Sequence, residues 1–147
     1  MTTPNGPISE TENRKWIEQL PKAELHLHLE GAIPLEALWS LIQKHGGDSS
    51  ISTRQDLRQR LTYSDFPEFI ETWIWKNSFL QNYDDFTFIA EEVALDLHRQ
   101  NILYAELFFS PSRFSHRGMT TAGLSEAIRR GLEKVPQCET WLIADVV

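Results

Sequence analysis

Cysteine occurs once in 147 residues, at Cys138, which leaves no partner for an internal disulfide and suits a reducing compartment. Basic residues are few and scattered. Fourteen Lys and Arg face 21 Asp and Glu, for a net charge of −7, and no basic cluster exists of the kind that supplies affinity for nucleic acid. Long apolar runs are missing as well. No segment approaches the roughly 18 apolar residues of a membrane span, and the charged first 20 residues do not resemble a signal peptide. The expectation is a cytoplasmic protein that binds neither nucleic acid nor membrane. Internal repeats and low-complexity tracts are also absent, and residues 1–8 read as a disordered start.

What is present is concentrated in Pro21–Gly31, where His26 and His28 sit two residues apart in an otherwise apolar run. Side chains alternate along a strand, so His26, His28 and Glu30 are expected on one face and Leu25, Leu27 and Leu29 on the core face. Neutral imidazoles are good zinc ligands, and two on the same face can take neighbouring coordination positions without backbone distortion. The competing reading is a half-exposed strand with incidental histidines.

Pro21-Lys22-Ala23-Glu24-Leu25-His26-Leu27-His28-Leu29-Glu30-Gly31 closely resembles the opening motif of the adenosine and adenine deaminase family of metal-dependent hydrolases. Ile102 to Pro111 is similar to that family's second strand and the Ser-Pro turn closing it. Phe66-Pro67-Glu68-Phe69-Ile70 with Trp73 is similar to the helix over its purine pocket. The resemblance implies an α/β fold of the (β/α)8 barrel type. Such a barrel needs roughly 250 residues, so 147 residues suffice only for its N-terminal part, with about three strands and an incomplete barrel. Residues 9–147 are assigned to that part.

Local patterns give the same order of elements. Ser9 and Glu12 form a capping-box pattern before a helix over Thr11 to Leu20. A strand follows at about 23–29, and Leu35, Leu38, Leu41 and Ile42 repeat at helical spacing up to His45-Gly46-Gly47. A polar loop spans 46–53, and Arg54 to Leu61 is short and helical. Helices are expected over Phe66 to Leu80 and Asp84 to Gln100, then a buried strand over Leu103 to Phe109. Thr120 to Lys134 is a further helix and Thr140 to Val147 a third strand. A chain stopping on an apolar strand leaves ladder groups unprotected, so the sequence reads as the front of a larger enzyme.

The resemblance implies hydrolytic deamination of a 6-aminopurine base or nucleoside, such as adenosine or adenine, with zinc (Zn2+) as cofactor, one per complete site. His26 and His28 are the expected metal ligands. His28, Glu30, Gly31, Phe66 and Phe69 are the expected substrate-binding residues, with Ile70 and Trp73 divided between pocket and core. Glu30 stands where family members acting on the nucleoside carry Asp against a sugar hydroxyl, which favours a smaller substrate. It could instead only accept from a loop amide. Gly31 is expected at a positive φ or at a close backbone approach. The family's remaining ligands, its catalytic acid and its nucleophile-orienting histidine find no counterpart here, so no catalytic residue is assigned and the isolated chain is expected to be inactive. Three alternatives stay open: another zinc barrel amidohydrolase, a non-catalytic fragment held by interactions, and a homo-oligomer or a missing C-terminal half supplying the rest. His45 reads as a helix-end cation, His98 as a polar-face residue, and His116 as a loop residue near the mouth.

Overall fold

The computed structural model describes residues 9–146. The predicted disordered start, residues 1–8, and Val147 lie outside the described residues. Helix α1 (Glu10–Gln19) begins with the expected reciprocal cap, in which Ser9 accepts from the Glu12 amide and the Glu12 carboxylate accepts from the Ser9 amide. Strand β1 (Lys22–His28) follows, then α2 (Leu35–Lys44), α3 (Arg54–Arg60), α4 (Phe66–Asn77) and α5 (Tyr83–Arg99). Strand β2 (Ile102–Phe109) leads through a 3₁₀ turn, Pro111–Arg117, into α6 (Thr121–Leu132) and strand β3 (Glu139–Ala144).

The helix starts are chemically marked. Thr53 with Asp56 and Asn82 with Asp85 form further capping boxes, while Asp65 and Thr120 cap α4 and α6 through their side chains. Each such cap satisfies amides that the first helical turn leaves without partners, for about 1 kcal/mol. The 3₁₀ turn was not predicted. Its seven residues carry no apolar period, and Pro111 at its first turn looks the same in sequence as a simple bend.

The three strands are parallel in the order β1-β2-β3. Leu27 lies opposite Leu107 and Leu107 opposite Leu142, while His28 lies opposite Phe108 and Phe108 opposite Ile143. Alternation therefore separates two faces. Ala105, Leu107 and Phe109 turn toward the helices and are fully or almost fully buried, together with Leu29 just past β1. Against them pack Phe86, Ile89 and Val93 of α5, Leu124 and Ile128 of α6, and Leu38 and Leu41 of α2, all of them buried. Burying each such side chain is worth about 1.5–3 kcal/mol.

The other face of the sheet is open. It carries His26, His28, Phe108 and Ile143, and Trp141 there is 59% exposed. Among the described residues, β1 and β3 each have one unpaired edge. Leu25 departs from the sequence reading: it is 62% exposed rather than in the core. β1 is an edge strand, and between Glu24 and Leu27 three of its residues advance against two of β2, so the simple alternation that would bury Leu25 is broken there.

Candidate metal and purine site

The C-terminal ends of the parallel strands bring the candidate residues together. His26 and His28 leave the same face of β1, and their Nε2 atoms approach to 3.2 Å. Phe108 on the neighbouring strand sets both rings. Its centroid lies 4.1 Å from that of His26 and 5.7 Å from that of His28. His28 Nδ1 faces Asp145 Oδ2 at 3.7 Å, just beyond β3, while Asp145 Oδ1 is buried without a partner.

After His28 the chain turns, with the amides of Gly31 and Ala32 both donating to the His28 carbonyl at 2.9 Å. The turn carries Glu30 off the histidine face and into the interior, where it is fully buried. Its Oε1 accepts from the Ser110 amide at 2.9 Å, and its Oε2 has no partner. Burial foremost raises its pKa, against the lowering effect of the Ser110 hydrogen bond. Nearby, Lys76 is 7% exposed and donates to the Gly31 carbonyl at 3.0 Å. Burial pushes this ammonium down to about 8, opposed by the charge of Glu30. Gly31 does not have a positive φ; among the described residues the glycines that do are Gly46, Gly47 and Gly118. The expected positive φ is thereby replaced by close packing, since a Cβ at Gly31 would sit 3.1 Å from the His28 carbonyl oxygen.

Next to the histidines lies a cleft of roughly 240 Å³. Its floor is formed by His28, Gly31, Ser110 and Asp145, and its wall by Phe69, Ile70 and Trp73 of α4, with Arg113 at the rim. Phe69 is thus placed at the cleft, held by Tyr63 and Phe66 at ring distances of 5.1 and 6.0 Å. Phe66 itself is not brought there. It is the first residue of α4, is not among the residues lining the cleft, and is 71% exposed. The bland reading of His45 agrees with its place at the C-terminus of α2, where its Nε2 lies 3.0 Å from Asp85. His98 is exposed, and His116 is an exposed residue of the 3₁₀ turn.

Sequence reasoning passed over Asp145, Lys76 and Arg113. Asp145 could have been found from its place at the C-terminal end of a parallel strand, where barrel enzymes hold reactive groups. Lys76 gave no signal, because a lysine in an amphipathic helix reads as solvated. The two imidazole nitrogens can hold a metal: zinc–nitrogen bonds of about 2.0–2.1 Å at tetrahedral angles leave ligand nitrogens roughly 3.3 Å apart, close to the 3.2 Å observed. Among the described residues, no group of three or more His, Cys, Asp or Glu side chains is arranged to hold one.

Comparison with known proteins agrees with this layout. An adenine deaminase from Crocosphaera subtropica is 31% identical over 123 residues, covering 81% of this chain and 38% of the relative. An amidohydrolase from Burkholderia ambifaria, determined with bound Zn, superimposes with a TM-score of 0.77 at 23% identity, over 96% of this chain and 39% of that one. Arabidopsis ADAL complexed with GMP gives 0.67 at 26% identity, over 88% and 41%. The chain spans about 38% of the length of such relatives, in agreement with the N-terminal portion of an incomplete (β/α)8 barrel. No described helix is long and apolar enough to cross a membrane. The family model described as adenosine deaminase matches residues 21–139, most of the sequence, and the chain belongs to the adenosine deaminase family.

Proposed function

We propose that this chain supplies the metal-anchoring and purine-facing part of a hydrolytic deaminase acting on a 6-aminopurine base or nucleoside. The observation that carries the reading is the convergence of His26 and His28 Nε2 at 3.2 Å beside an apolar cleft. The bound Zn of the Burkholderia amidohydrolase, the name adenine deaminase carried by the Crocosphaera relative and the GMP bound to Arabidopsis ADAL support it. Zinc, when held there, contributes Lewis-acid activation of water for attack at the amine-bearing ring carbon. His26 and His28 would be its ligands, and Phe108 holds their rings in place. Phe69, Ile70 and Trp73 offer a flat apolar wall to a heteroaromatic ring and exclude water from it. Glu30, anchored by the Ser110 amide, presents a buried carboxyl with one free oxygen beside the floor of the cleft.

Two histidines fall short of the three protein ligands usual in catalytic zinc sites. The 147-residue chain alone should therefore bind zinc weakly and show no turnover. Elemental mass spectrometry after equilibration with graded zinc should find one weak site. His26→Ala or His28→Ala should weaken it at least about tenfold, the scale on which lost site interactions act. Zinc binding indifferent to both substitutions would sink the reading. In a completed barrel, Glu30→Asp should shift the kcat/KM ratio toward adenosine over adenine; an unchanged ratio would remove Glu30 from substrate selection.

A further inference from the structure

Asp145 is set against the histidine pair by its backbone. Its amide donates to the Phe109 carbonyl at 3.0 Å, which continues the pairing of β2 with β3 just past the strand and fixes where the side chain leaves the sheet. That side chain is 20% exposed and brings Oδ2 to 3.7 Å from His28 Nδ1, while Oδ1 is buried without a partner. On the other edge of the same ring, His28 Nε2 meets His26 Nε2 at 3.2 Å. His28 is thus held between an anion on one nitrogen and a second imidazole on the other.

A neutral imidazole carries its one proton on either nitrogen, and an ionised carboxylate only accepts. Two Nε2 atoms at 3.2 Å attract only if one donates and the other accepts; two lone pairs or two protons repel. Asp145 decides which does which. At 3.7 Å its contact is longer than a hydrogen bond, yet a carboxylate still favours an N–H over a lone pair facing it, and such contacts tighten when a site fills. We propose that Asp145 is the positioning residue of the pair, keeping the proton of neutral His28 on Nδ1 so that its Nε2 stands as a ready lone pair for a metal, with His26 Nε2–H donating to it. Carboxylates behind ligating imidazoles act in this way at metal sites. The two histidines are therefore unequal. His28 is set in advance, whereas His26, at an exposed position, offers a lone pair only after its proton has moved from Nε2 to Nδ1 through water. The inference deepens the deaminase reading and rests on it only where zinc is concerned.

Long-range proton–nitrogen NMR of the zinc-free 147-residue chain, with isotopically labelled histidine at a pH where the rings are neutral, reads the tautomers directly. His26→Gln and His28→Gln assign the two sets of signals by their loss. His28 should show a protonated Nδ1 and a bare Nε2, and His26 the reverse. Asp145→Ala should erase the His28 preference and weaken zinc binding, followed by elemental analysis, at least about tenfold. Asp145→Asn, equal in shape but uncharged, should move both in the same direction to a smaller extent and serves if the alanine variant does not fold. In His26→Gln the His28 tautomer should stay as it was, because the carboxylate and not the neighbouring ring sets it. A protonated Nε2 on His28 in the parent chain, a tautomer unmoved by both Asp145 variants or one that follows His26 instead overturns the assignment. So does zinc binding that needs both histidines yet ignores Asp145. Failure of the deaminase reading looks different: zinc binding indifferent to His26→Ala and His28→Ala would sink that reading and leave the tautomer result standing.

Discussion

Gly131→Ala is expected to unfold the chain more readily by about 2 kcal/mol or more, seen as a fall of roughly 5–10 °C in melting temperature. Helices α5 and α6 cross at this glycine. A Cβ added there would lie 2.2 Å from the Thr87 carbonyl oxygen, 2.7 Å from the Ala90 Cβ and 3.0 Å from the Glu91 amide nitrogen. These are backbone atoms and a methyl on the facing helix, so no rotamer change relieves the overlap and the helices must separate. Separation also strains the hydrogen bond from Thr87 Oγ1 to the Ala127 carbonyl, 2.9 Å, which crosses the same interface. Alanine's better helix propensity returns about 1 kcal/mol, too little to reverse the sign. Gly123→Ala provides the comparison. There the added Cβ meets the ring of Tyr83, with 2.6 Å to its hydroxyl. A side chain can move, at the cost of its hydrogen bond with the Thr120 amide. The loss at 123 should be the smaller of the two, and a melting temperature unchanged by Gly131→Ala would refute the close crossing.

Asp85→Ala should cost about 3 kcal/mol at neutral pH, at the lower end for breaking a buried charge network, because Lys44 is partly solvated. The Asp85 carboxylate is fully buried and accepts from Lys44 Nζ at 2.6 Å and from the Gln81 and Asn82 amides at 2.8 and 3.1 Å; His45 Nε2 lies 3.0 Å away. It thereby joins the C-terminus of α2 to the N-terminus of α5. Burial opposes its ionisation, but the hydrogen bonds from Lys44, Gln81 and His45 together hold its pKa below the ordinary aspartate value. The sign follows from that direction. A carboxyl with a lower pKa in the folded than in the unfolded state contributes its full stability above about pH 4, and that contribution fades as pH falls through the folded value. Urea midpoints measured from neutrality down into that range should decline less steeply in Asp85→Ala than in the parent. Parallel declines would show that Asp85 carries no part of the acid sensitivity.

Much of this was legible in the residues. Ser9 with Glu12 announced the first helix, Leu38, Leu41 and Ile42 of the α2 stripe buried as its period required with Leu35 partly so, and the histidines of β1 share a face as strand alternation dictates. Local rules reach such features because each depends on neighbours a few positions away. Glu30 escaped them: strand alternation put it beside the histidines, but the chain turns after His28, and its carboxylate meets an amide 80 residues away. Asp145 against His28, Arg113 against Trp73 and the orphaned amide of Asn77 likewise arise only when distant segments meet. Leu25 failed for a different reason, since its pattern was that of a core residue and the register shift in β1 breaks the alternation at that point.

The long connection between β1 and β2 also sets an order of assembly. Strands β2 and β3 are joined through a single helix, whereas β1 must find its register across four helices, a closure whose entropic cost grows with the logarithm of its length. Contacts close in sequence are made before those that demand long loops. β2, β3 and the α5–α6 pair can therefore condense first, with β1 docking onto a surface already formed. His28 meets Phe108, and Glu30 meets Ser110, only at that last step. The histidine pair is local to β1, but the ring that fixes its orientation and the anchor of Glu30 are products of final docking, so a chain that has not completed its folding carries the two imidazoles without their supports.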